Sequence, residues 1–228
     1  MNRKIIFSIV IAICVIALSA CASAAPTVTT SSGSDTNVTV PTVSSNTNTT
    51  VPATSSSNST VDTSNLACGS GSGSANLTPE ETEGPYYKAG SPEQANLLQA
   101  GMSGTKIVIT GYVYTADCKP IANALLDFWQ ADANGNYDNS GYTLRGHQFT
   151  DANGRYQLTT VVPGLYAGRT EHIHVKVQAP NGKMITTQLF FPGVSQNDSD
   201  SIFNQDLLLS IQQTNDGMQG QFNFVVPA

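Results

Sequence analysis

Apolar and polar positions alternate in several short runs over the C-terminal two thirds of the chain. Residues 106–114 form the clearest run, rich in β-branched side chains, and five further runs resemble it. These cover residues 124–130, 155–162, 172–179, 184–191 and 221–226. Turn residues separate the runs, and Asn181-Gly182 between two of them is a strong hairpin signal. The pattern predicts an all-β domain, a sandwich or barrel, which we interpret as a β-sandwich of mainly antiparallel strands with long loops.

Two segments of the same region have a less regular pattern. Residues 92–99 are compatible with a short helix, whereas residues 201–212 fit a helix and a loop equally well. The sequence therefore predicts a domain dominated by strands, with one short helix and one undecided segment.

The first 24 residues have the pattern of an export signal. Arg3 and Lys4 precede an apolar run over residues 5–18, and small residues follow it. The run is shorter than the roughly 20 apolar residues of a membrane-spanning helix. Residues 18–21 resemble the lipobox of bacterial lipoproteins, which predicts lipidation of Cys21, whereas residues 22–24 resemble an ordinary signal-peptidase site. We expect an exported protein, lipid-anchored at the cell surface or secreted, with lipidation favoured.

Composition divides the remainder of the chain into a tether and a folded domain. Residues 25–75 consist mainly of small and polar residues with almost no large apolar side chain, so they are predicted to form a disordered tether. Residues 76–228 then form one domain of ordinary size. The formal charge of −6 lies wholly in this domain. Its lack of a basic stripe argues against nucleic acid as a partner.

The four cysteines suggest one disulfide. Cys14 belongs to the export signal, and Cys21 is either lipidated or removed with it. Cys68 and Cys118 remain as a pair in an exported protein, where disulfides persist. We therefore expect a Cys68–Cys118 disulfide, with two free thiols as the alternative.

The candidate chemistry begins with His172-Ile173-His174. Residues i and i+2 of a strand project from the same face, so both imidazoles point in one direction. A metal site and two hydrogen-bonded histidines on a solvated sheet face are equally compatible with this pair alone. Tyr166 and Arg169 lie in the short loop before it, and Tyr166 is placed to fold back towards the histidines. This context favours a metal site.

Four segments resemble the motifs of intradiol ring-cleavage dioxygenases, in the same order along the chain. They are the T-E-G-P-(Y/F)-Y motif at residues 82–87, W-(Q/H)-x-(D/N)-x-x-G-x-Y at 129–137, R-G-x-Q-x-T-D-x-x-G at 145–154 and P-G-x-Y-x-G-R-x-x-H-I-H at 163–174. The resemblance covers nearly all of residues 76–228, and four ordered motifs are far more specific than any one of them.

The resemblance implies an Fe(III) cofactor and an active site. Fe(III) would be held by Tyr137, Tyr166, His172 and His174, as expected for hard phenolate donors combined with imidazoles. Tyr166 and Arg169 would be catalytic. The substrate pocket would be lined by Arg169, Gln188 and Tyr86, while His147 would lie at its edge or be structural.

The implied activity is cleavage of catechol-type rings by O2, giving cis,cis-muconate-type products. The partners are then a small aromatic diol and O2, with membrane contact only through the possible lipid anchor and the oligomeric state open. One difference from the family's pattern leaves the identity of the substrate open. The family's catechol and protocatechuate enzymes have a longer insertion between the second Tyr and the Arg, whereas only Ala167-Gly168 intervene here, as in the exported branch of the family.

Two alternative functions also fit the sequence. One is a non-catalytic exported β-sandwich that acts as a binding module, because fold alone does not determine function. The other is a zinc or copper hydrolase or oxidase that uses His172 and His174.

Overall fold

Nine strands and two short 3-10 helices make up the regular structure of the computed structural model, which describes Cys68 and residues 74–228. The strands are β1 (Lys106–Tyr114), β2 (Leu125–Trp129), β3 (Arg145–Phe149), β4 (Arg155–Val161), β5 (His172–Gln178), β6 (Ile185–Phe190), β7 (Ser210–Thr214), β8 (Gly217–Gln221) and β9 (Phe224–Val225). The 3-10 helices are Ser195–Asp198 and Gln205–Leu207.

The strands form two sheets that share one apolar core. Sheet I has the order β4-β1-β8-β7, with β9 also paired to β1, and sheet II has the order β3-β2-β5-β6. All pairs are antiparallel except β1 with β8 and β1 with β9. Ile109 of sheet I and Phe128 and Val175 of sheet II are fully buried in the same cluster. The predicted all-β sandwich of mainly antiparallel strands is confirmed.

The predicted helix over residues 92–99 is wrong. This segment is extended, and its backbone groups bond to neighbouring strands instead of to each other. Gln94 N–H donates to the His147 carbonyl at 2.9 Å, and Leu97 N–H donates to the Thr159 carbonyl at 2.8 Å. The undecided segment 201–212 contains the 3-10 helix Gln205–Leu207 and the start of β7. The predicted hairpin is confirmed, since Gly182 N–H donates to the Ala179 carbonyl between β5 and β6.

The alternation along β5 decides which face of sheet II carries the polar site. Ile173, Val175 and Val177 enter the core, so His172 and His174 project from the outer face. Both histidines are nevertheless buried. The N-terminal segment, residues 76–91, bonds to the edge strand β6, where Glu81 N–H donates to the Thr186 carbonyl at 2.8 Å, and its Gly84 packs against the His174 ring. A strand face that would otherwise be open to solvent thus becomes the floor of a covered site.

A disulfide joins Cys68 to Cys118, with a Cα–Cα distance of 5.4 Å. Close to it, Ala75 N–H donates to the Ala116 carbonyl at 2.9 Å. The beginning of the domain is therefore attached to the turn between β1 and β2.

The expectations for the N-terminus lie mostly outside the described residues. The predicted export signal 1–24, including Cys21, is outside them, and so is the predicted tether 25–75 apart from Cys68, Ser74 and Ala75. Among the described residues, no helix has the length and apolar character needed to span a membrane.

Candidate metal centre

The two histidines of β5 bring their Nε2 atoms close together. His172 Nε2 and His174 Nε2 are 3.1 Å apart, and the rings meet edge to face at 81°. In the register of sheet II, His172 lies opposite Phe190, and His174 lies between Trp129 and Gln188. The strand geometry thus converges both imidazoles on one point, as predicted.

The hydrogen bonding of His172 leaves its Nε2 lone pair available. Its Nδ1 lies 2.6 Å from the Thr170 carbonyl, which has no proton to give, so Nδ1–H is the donor. Burial lowers the pKa of His172 to about 4, although the bond to Thr170 acts in the opposite direction. Burial, followed by the neighbouring His172 and Arg169, also holds the pKa of His174 well below its usual range. Both rings are therefore neutral near pH 7.

Neither tautomer of His174 satisfies both of its ring nitrogens, and a cation at the Nε2 atoms would remove the contact between lone pairs. His174 Nδ1 is buried and has no hydrogen-bond partner among the described residues. If His174 carries its proton on Nδ1, that donor is unpaired and two lone pairs face each other across 3.1 Å. If the proton is on Nε2, His174 Nδ1 is a buried acceptor without a donor. A metal ion bound to both Nε2 atoms removes the lone-pair contact, and bonds of about 2 Å fit their separation.

Tyr137 reaches the same point from the loop between β2 and β3. Its hydroxyl oxygen is 3.5 Å from His172 Nε2. This loop packs closely against the loop that carries Tyr166. A Cβ added at Gly135 would lie only 2.1 Å from the Leu165 carbonyl oxygen. Gly135 also has φ +80, a conformation that favours glycine. The Asn134-Gly135 turn therefore presents Tyr137, as the sequence suggested.

Tyr166 approaches from the loop between β4 and β5. A tight turn through Ala167 (φ +42) and Gly168 (φ +81) returns the chain, so that Arg169 N–H donates to the Tyr166 carbonyl at 2.6 Å. The Tyr166 ring is edge-on to Tyr137, with centroids 5.5 Å apart. Its hydroxyl forms a short hydrogen bond with the hydroxyl of Tyr86. The two predicted phenol ligands are thus neighbours.

Without a bound cation, neither the Tyr137 phenol nor the Tyr166 phenol would ionise near neutral pH. Burial raises the pKa of Tyr137, against the opposing charges of Arg169 and Arg145. The hydrogen bond with Tyr86, followed by burial, raises the pKa of Tyr166. A bound cation stabilises the phenolate forms directly. The described residues contain no metal-binding group of three or more His, Cys, Asp or Glu, so a complete coordination sphere at this point depends on the phenols.

Tyr86 joins the two phenols from the N-terminal segment. Its ring stacks on Tyr137 at a centroid distance of 4.4 Å and an interplanar angle of 13°, and it meets Tyr166 edge-on at 5.2 Å. Tyr86, which was predicted to line the substrate pocket, is therefore in contact with both predicted phenol ligands, Tyr137 and Tyr166.

Arg169 is held at the side of the site by two polar partners. Its Nε lies 2.8 Å and 3.1 Å from the two carboxylate oxygens of Asp200, and its Nη2 donates to Gln188 Oε1 at 2.7 Å. Gln188 Nε2 donates in turn to the Thr82 carbonyl at 2.9 Å. The predicted pocket residues Arg169 and Gln188 are thus joined to each other and to the N-terminal segment.

Asp200 is a site residue that the sequence did not reveal. Its carboxylate accepts the backbone N–H of Thr170 as well as the guanidinium of Arg169. Burial of Asp200 acts to raise its pKa, but the hydrogen bonds from Thr170 and Arg169 outweigh it, and the net pKa is lowered. It lies immediately before the undecided segment 201–212, two positions after the exposed Asp198, and no motif distinguishes the two.

Arg145 is a second site residue whose role the sequence did not reveal, although it belongs to one of the four motifs. Its side chain is buried, with a residue exposure of 2%. Nη1 donates to the Tyr86 carbonyl at 2.6 Å, while Nε and Nη2 donate to the Asp138 carbonyl at 3.3 and 3.0 Å. One guanidinium therefore ties together the segments that carry Tyr86 and Tyr137.

His147 is not part of this cluster. Its Nδ1 lies 2.8 Å from the Ser91 carbonyl and 3.2 Å from Ser91 Oγ, and its ring lies edge-on to Phe149.

The metal-free protein is expected to lose stability as the pH falls from about 6.5 to 4. His172 has a pKa of about 4 in the folded protein and near 6.5 in the unfolded chain. Above pH 6.5 the ring is neutral in both states, so it does not weaken folding. Below pH 6.5 the unfolded chain takes up a proton that the folded protein does not, and stability falls. For His172 alone the loss is about 3 kcal/mol, at about 1.4 kcal/mol per pKa unit. Urea unfolding of metal-free protein between pH 7 and 4.5 measures it. A flat profile would contradict the neutral, buried state of this ring.

Known proteins with similar sequences and structures share one chemistry. The family model described as Dioxygenase matches residues 82–227. A catechol 1,2-dioxygenase from Acinetobacter lwoffii is 36% identical over 142 residues, which cover 51% of this chain and 52% of that protein. The protocatechuate 3,4-dioxygenase beta chain of Burkholderia cepacia is 35% identical over 118 residues, which cover 44% and 50%. The chain spans about half the length of the two catechol 1,2-dioxygenases it matches first (52% and 48%).

Solved structures give the same family. The dioxygenase domain of a dioxygenase–carbohydrate-binding fusion protein from Streptomyces sp. SirexAA-E is 47% identical, with a TM-score of 0.66, and the match covers 67% of this chain and 99% of that one. For 3-chlorocatechol 1,2-dioxygenase from Rhodococcus opacus 1CP the identity is 29%, the TM-score 0.62 and the coverage 65% and 72%. The ordered motifs and these matches agree: the chain belongs to the intradiol ring-cleavage dioxygenase family.

Proposed function

We propose that the domain cleaves catechol-type rings with O2 at a non-haem Fe(III) centre held by Tyr137, Tyr166, His172 and His174. The observation that supports this best is the convergence of two neutral, buried imidazoles with the Tyr137 hydroxyl, 3.5 Å from His172 Nε2. The proposed product is a ring-opened diacid, formed by breaking the bond between the two hydroxyl-bearing carbons.

The donor set favours iron over zinc or copper. Phenolate is a hard, strongly donating ligand that suits a trivalent ion, and imidazole accepts iron readily. Structural zinc more often recruits cysteine, and the two cysteines among the described residues are joined to each other. When bound, Fe(III) would supply the Lewis acidity that acidifies the diol and prepares its ring for reaction with O2.

Tyr166 and Tyr86 are the groups placed to manage the substrate's protons. Their hydroxyls are hydrogen-bonded, and the raised pKa of Tyr166 means that its phenolate form would be basic enough to take a proton from a catechol hydroxyl. Tyr86 would then hold the protonated Tyr166 through the same hydrogen bond. The pair thereby keeps the proton beside the site, without a free water molecule as acceptor.

Arg169 would stabilise negative charge that develops on the substrate. Asp200 and Gln188 fix its Nε and Nη2, so the guanidinium is oriented before the substrate arrives. Donors fixed in advance in a site with little water are more effective than the same donors in solution.

The direct test is ring opening with a panel of diols in air and under argon. Catechol, chlorocatechol, hydroxyquinol and protocatechuate are suitable because the matched relatives are named for them. We expect a product with two added oxygen atoms in air, none under argon, and iron bound with visible tyrosinate absorption. Iron-replete protein that is colourless and opens none of these rings would favour the alternative, a non-catalytic binding module. Zinc or copper in place of iron would contradict the proposed cofactor.

Asp200→Asn is expected to lower kcat/KM for catechol about 10- to 100-fold while metal content stays unchanged. The amide cannot hold the Arg169 guanidinium as an ion pair, and losses of this size follow from removing residues that orient a site. Steady-state kinetics with metal analysis measure both quantities. Asp198→Asn is the matched control, because Asp198 is exposed on a 3-10 helix. Equal kcat/KM for both variants and the wild type would refute the assigned role of Asp200.

We further propose that the domain acts outside the cytoplasm. Support comes from the signal-like residues 1–24 and from the Cys68–Cys118 disulfide, a bond that persists in oxidising compartments. Cell fractionation tests the lipid anchor: lipidation at Cys21 predicts that Cys21→Ser moves the protein out of the membrane fraction. Wild-type protein free in the medium would instead favour cleavage after residues 22–24.

A further inference from the structure

The two ligand histidines are held in place by different means. His172 is oriented by its hydrogen bond to the Thr170 carbonyl, the usual arrangement for a metal-binding imidazole. His174 Nδ1 has no such bond among the described residues. Its ring instead lies flat against the indole of Trp129, with centroids 4.8 Å apart and planes within 4° of parallel.

Gly84 also packs against the His174 ring. A Cβ on Gly84 would lie 3.5 Å from His174 Cε1, and Gly84 has φ +70. A backbone without a side chain therefore reaches the imidazole from the N-terminal segment, while Trp129 reaches it from β2. These two groups add to the rings of His172 and Tyr137, which also face His174.

Trp129 is itself firmly placed. It is the last residue of β2, lies opposite His174 in the strand register and is 1% exposed. The Tyr87 ring contacts it at a centroid distance of 4.8 Å. Tyr87 is anchored by its hydroxyl, which donates to Asp127 Oδ2 at 3.1 Å, and by Lys176 Nζ, which lies 4.0 Å from its ring centroid. The indole thus packs against a ring that polar groups hold in place, while its own buried Nε1 has no hydrogen-bond partner among the described residues.

We infer that Trp129 is the positioning residue of His174 and replaces, by ring stacking, the hydrogen bond that orients His172. The inference rests on the proposed metal centre. It assigns a function to an aromatic that is neither a proposed metal ligand nor a proposed pocket residue. It also explains how a buried imidazole with an unpaired nitrogen keeps one orientation.

The test compares Trp129→Phe with Trp129→Leu. Phenylalanine retains an aromatic face for His174, whereas leucine has the bulk without the flat surface. We expect Trp129→Leu to weaken Fe(III) binding about 10- to 100-fold and to shift the visible tyrosinate absorption, and Trp129→Phe to restore most of both. Phe128→Leu is the matched control, since Phe128 is the neighbouring β2 residue that faces the core. It should lower stability without changing metal affinity.

The single tryptophan of the chain adds a direct readout in the wild type. Fe(III) bound at His174 should quench the fluorescence of Trp129 with the same affinity that metal analysis gives. Wild-type binding of Trp129→Leu, with an unchanged absorption spectrum, would overturn the inference.

A metal-free measurement separates this inference from the proposed function. If the wild type binds no iron, the proposed function fails, but the stacking is still testable through the imidazole signals of His174 in 15N-edited NMR spectra. Sharp signals in the wild type and Trp129→Phe with broadened signals in Trp129→Leu support the positioning role. Equally sharp signals in all three proteins overturn it.

Discussion

Replacing His172 with alanine is expected to remove metal binding, visible colour and ring-cleaving activity together. The side chain supplies a neutral nitrogen whose lone pair is fixed by the Nδ1 bond to the Thr170 carbonyl. Removal of residues that merely orient a ligand costs about 10- to 100-fold in metal affinity, so loss of the ligand itself should exceed 100-fold. Metal content after dialysis, the absorption spectrum and oxygen uptake with catechol measure the three effects.

His147→Ala is the matched control for this experiment. It removes the third histidine of the chain, whose Nδ1 faces Ser91 and not the cluster. We expect it to retain bound metal and colour. If His172→Ala keeps full activity, or if His147→Ala loses metal to the same extent, the ligand assignment is wrong.

The part of the site on β5 follows directly from the sequence. The period of two along a strand places His172 and His174 on one face, and Ile173 enters the core as expected. Only the strand assignment and the spacing of the two histidines are needed for this conclusion. Their burial is a different matter, because it depends on the N-terminal segment that packs against the His174 ring.

Tyr137 shows where sequence reasoning needed the family resemblance. The chain has eight tyrosines, and nothing local distinguishes Tyr137 from Tyr86 as a ligand. The structure places the Tyr137 hydroxyl 3.5 Å from His172 Nε2, and places Tyr86 against Tyr166 and Tyr137. Which tyrosine faces the histidines is decided by how three separate segments pack, and that information is non-local.

Asp200, Arg145 and Trp129 were missed as site residues for a related reason. Each acts on a group distant in sequence: Asp200 on Arg169, Arg145 on the Tyr86 carbonyl, and Trp129 on His174. None follows from a spacing rule. The mistaken helix over residues 92–99 has the same origin, because its backbone partners are His147 and Thr159 of other strands.

Arg145 connects this packing to the chemistry of the ligands. Burial lowers the pKa of its guanidinium, although Asp138 and Tyr137 oppose the shift. Its charge acts in turn to lower the pKa of Tyr137, against the larger effect of burial. The same side chain thus holds the Tyr137 loop through the Asp138 carbonyl and favours the phenolate that a metal ion needs.

Arg145→Met is therefore expected to weaken metal binding about 10- to 100-fold. Two partly buried carbonyls lose their donors, at about 1–3 kcal/mol each, but a buried charge disappears as well. Since the second change offsets part of the first, the expected loss in the free energy of unfolding is about 2 kcal/mol. Metal titration and urea unfolding measure the two quantities.

Arg145→Lys separates the charge from the forked hydrogen bonding. Lysine keeps a cation near Tyr137 but cannot bond both the Tyr86 and Asp138 carbonyls in the arginine geometry. If the charge dominates, Arg145→Lys should bind metal nearly as well as the wild type; if the loop connection dominates, it should resemble Arg145→Met. Arg155→Met, at an exposed position of β4, is the control and should change neither quantity. Undiminished metal affinity in Arg145→Met would show that the Tyr137 loop keeps its position without this guanidinium.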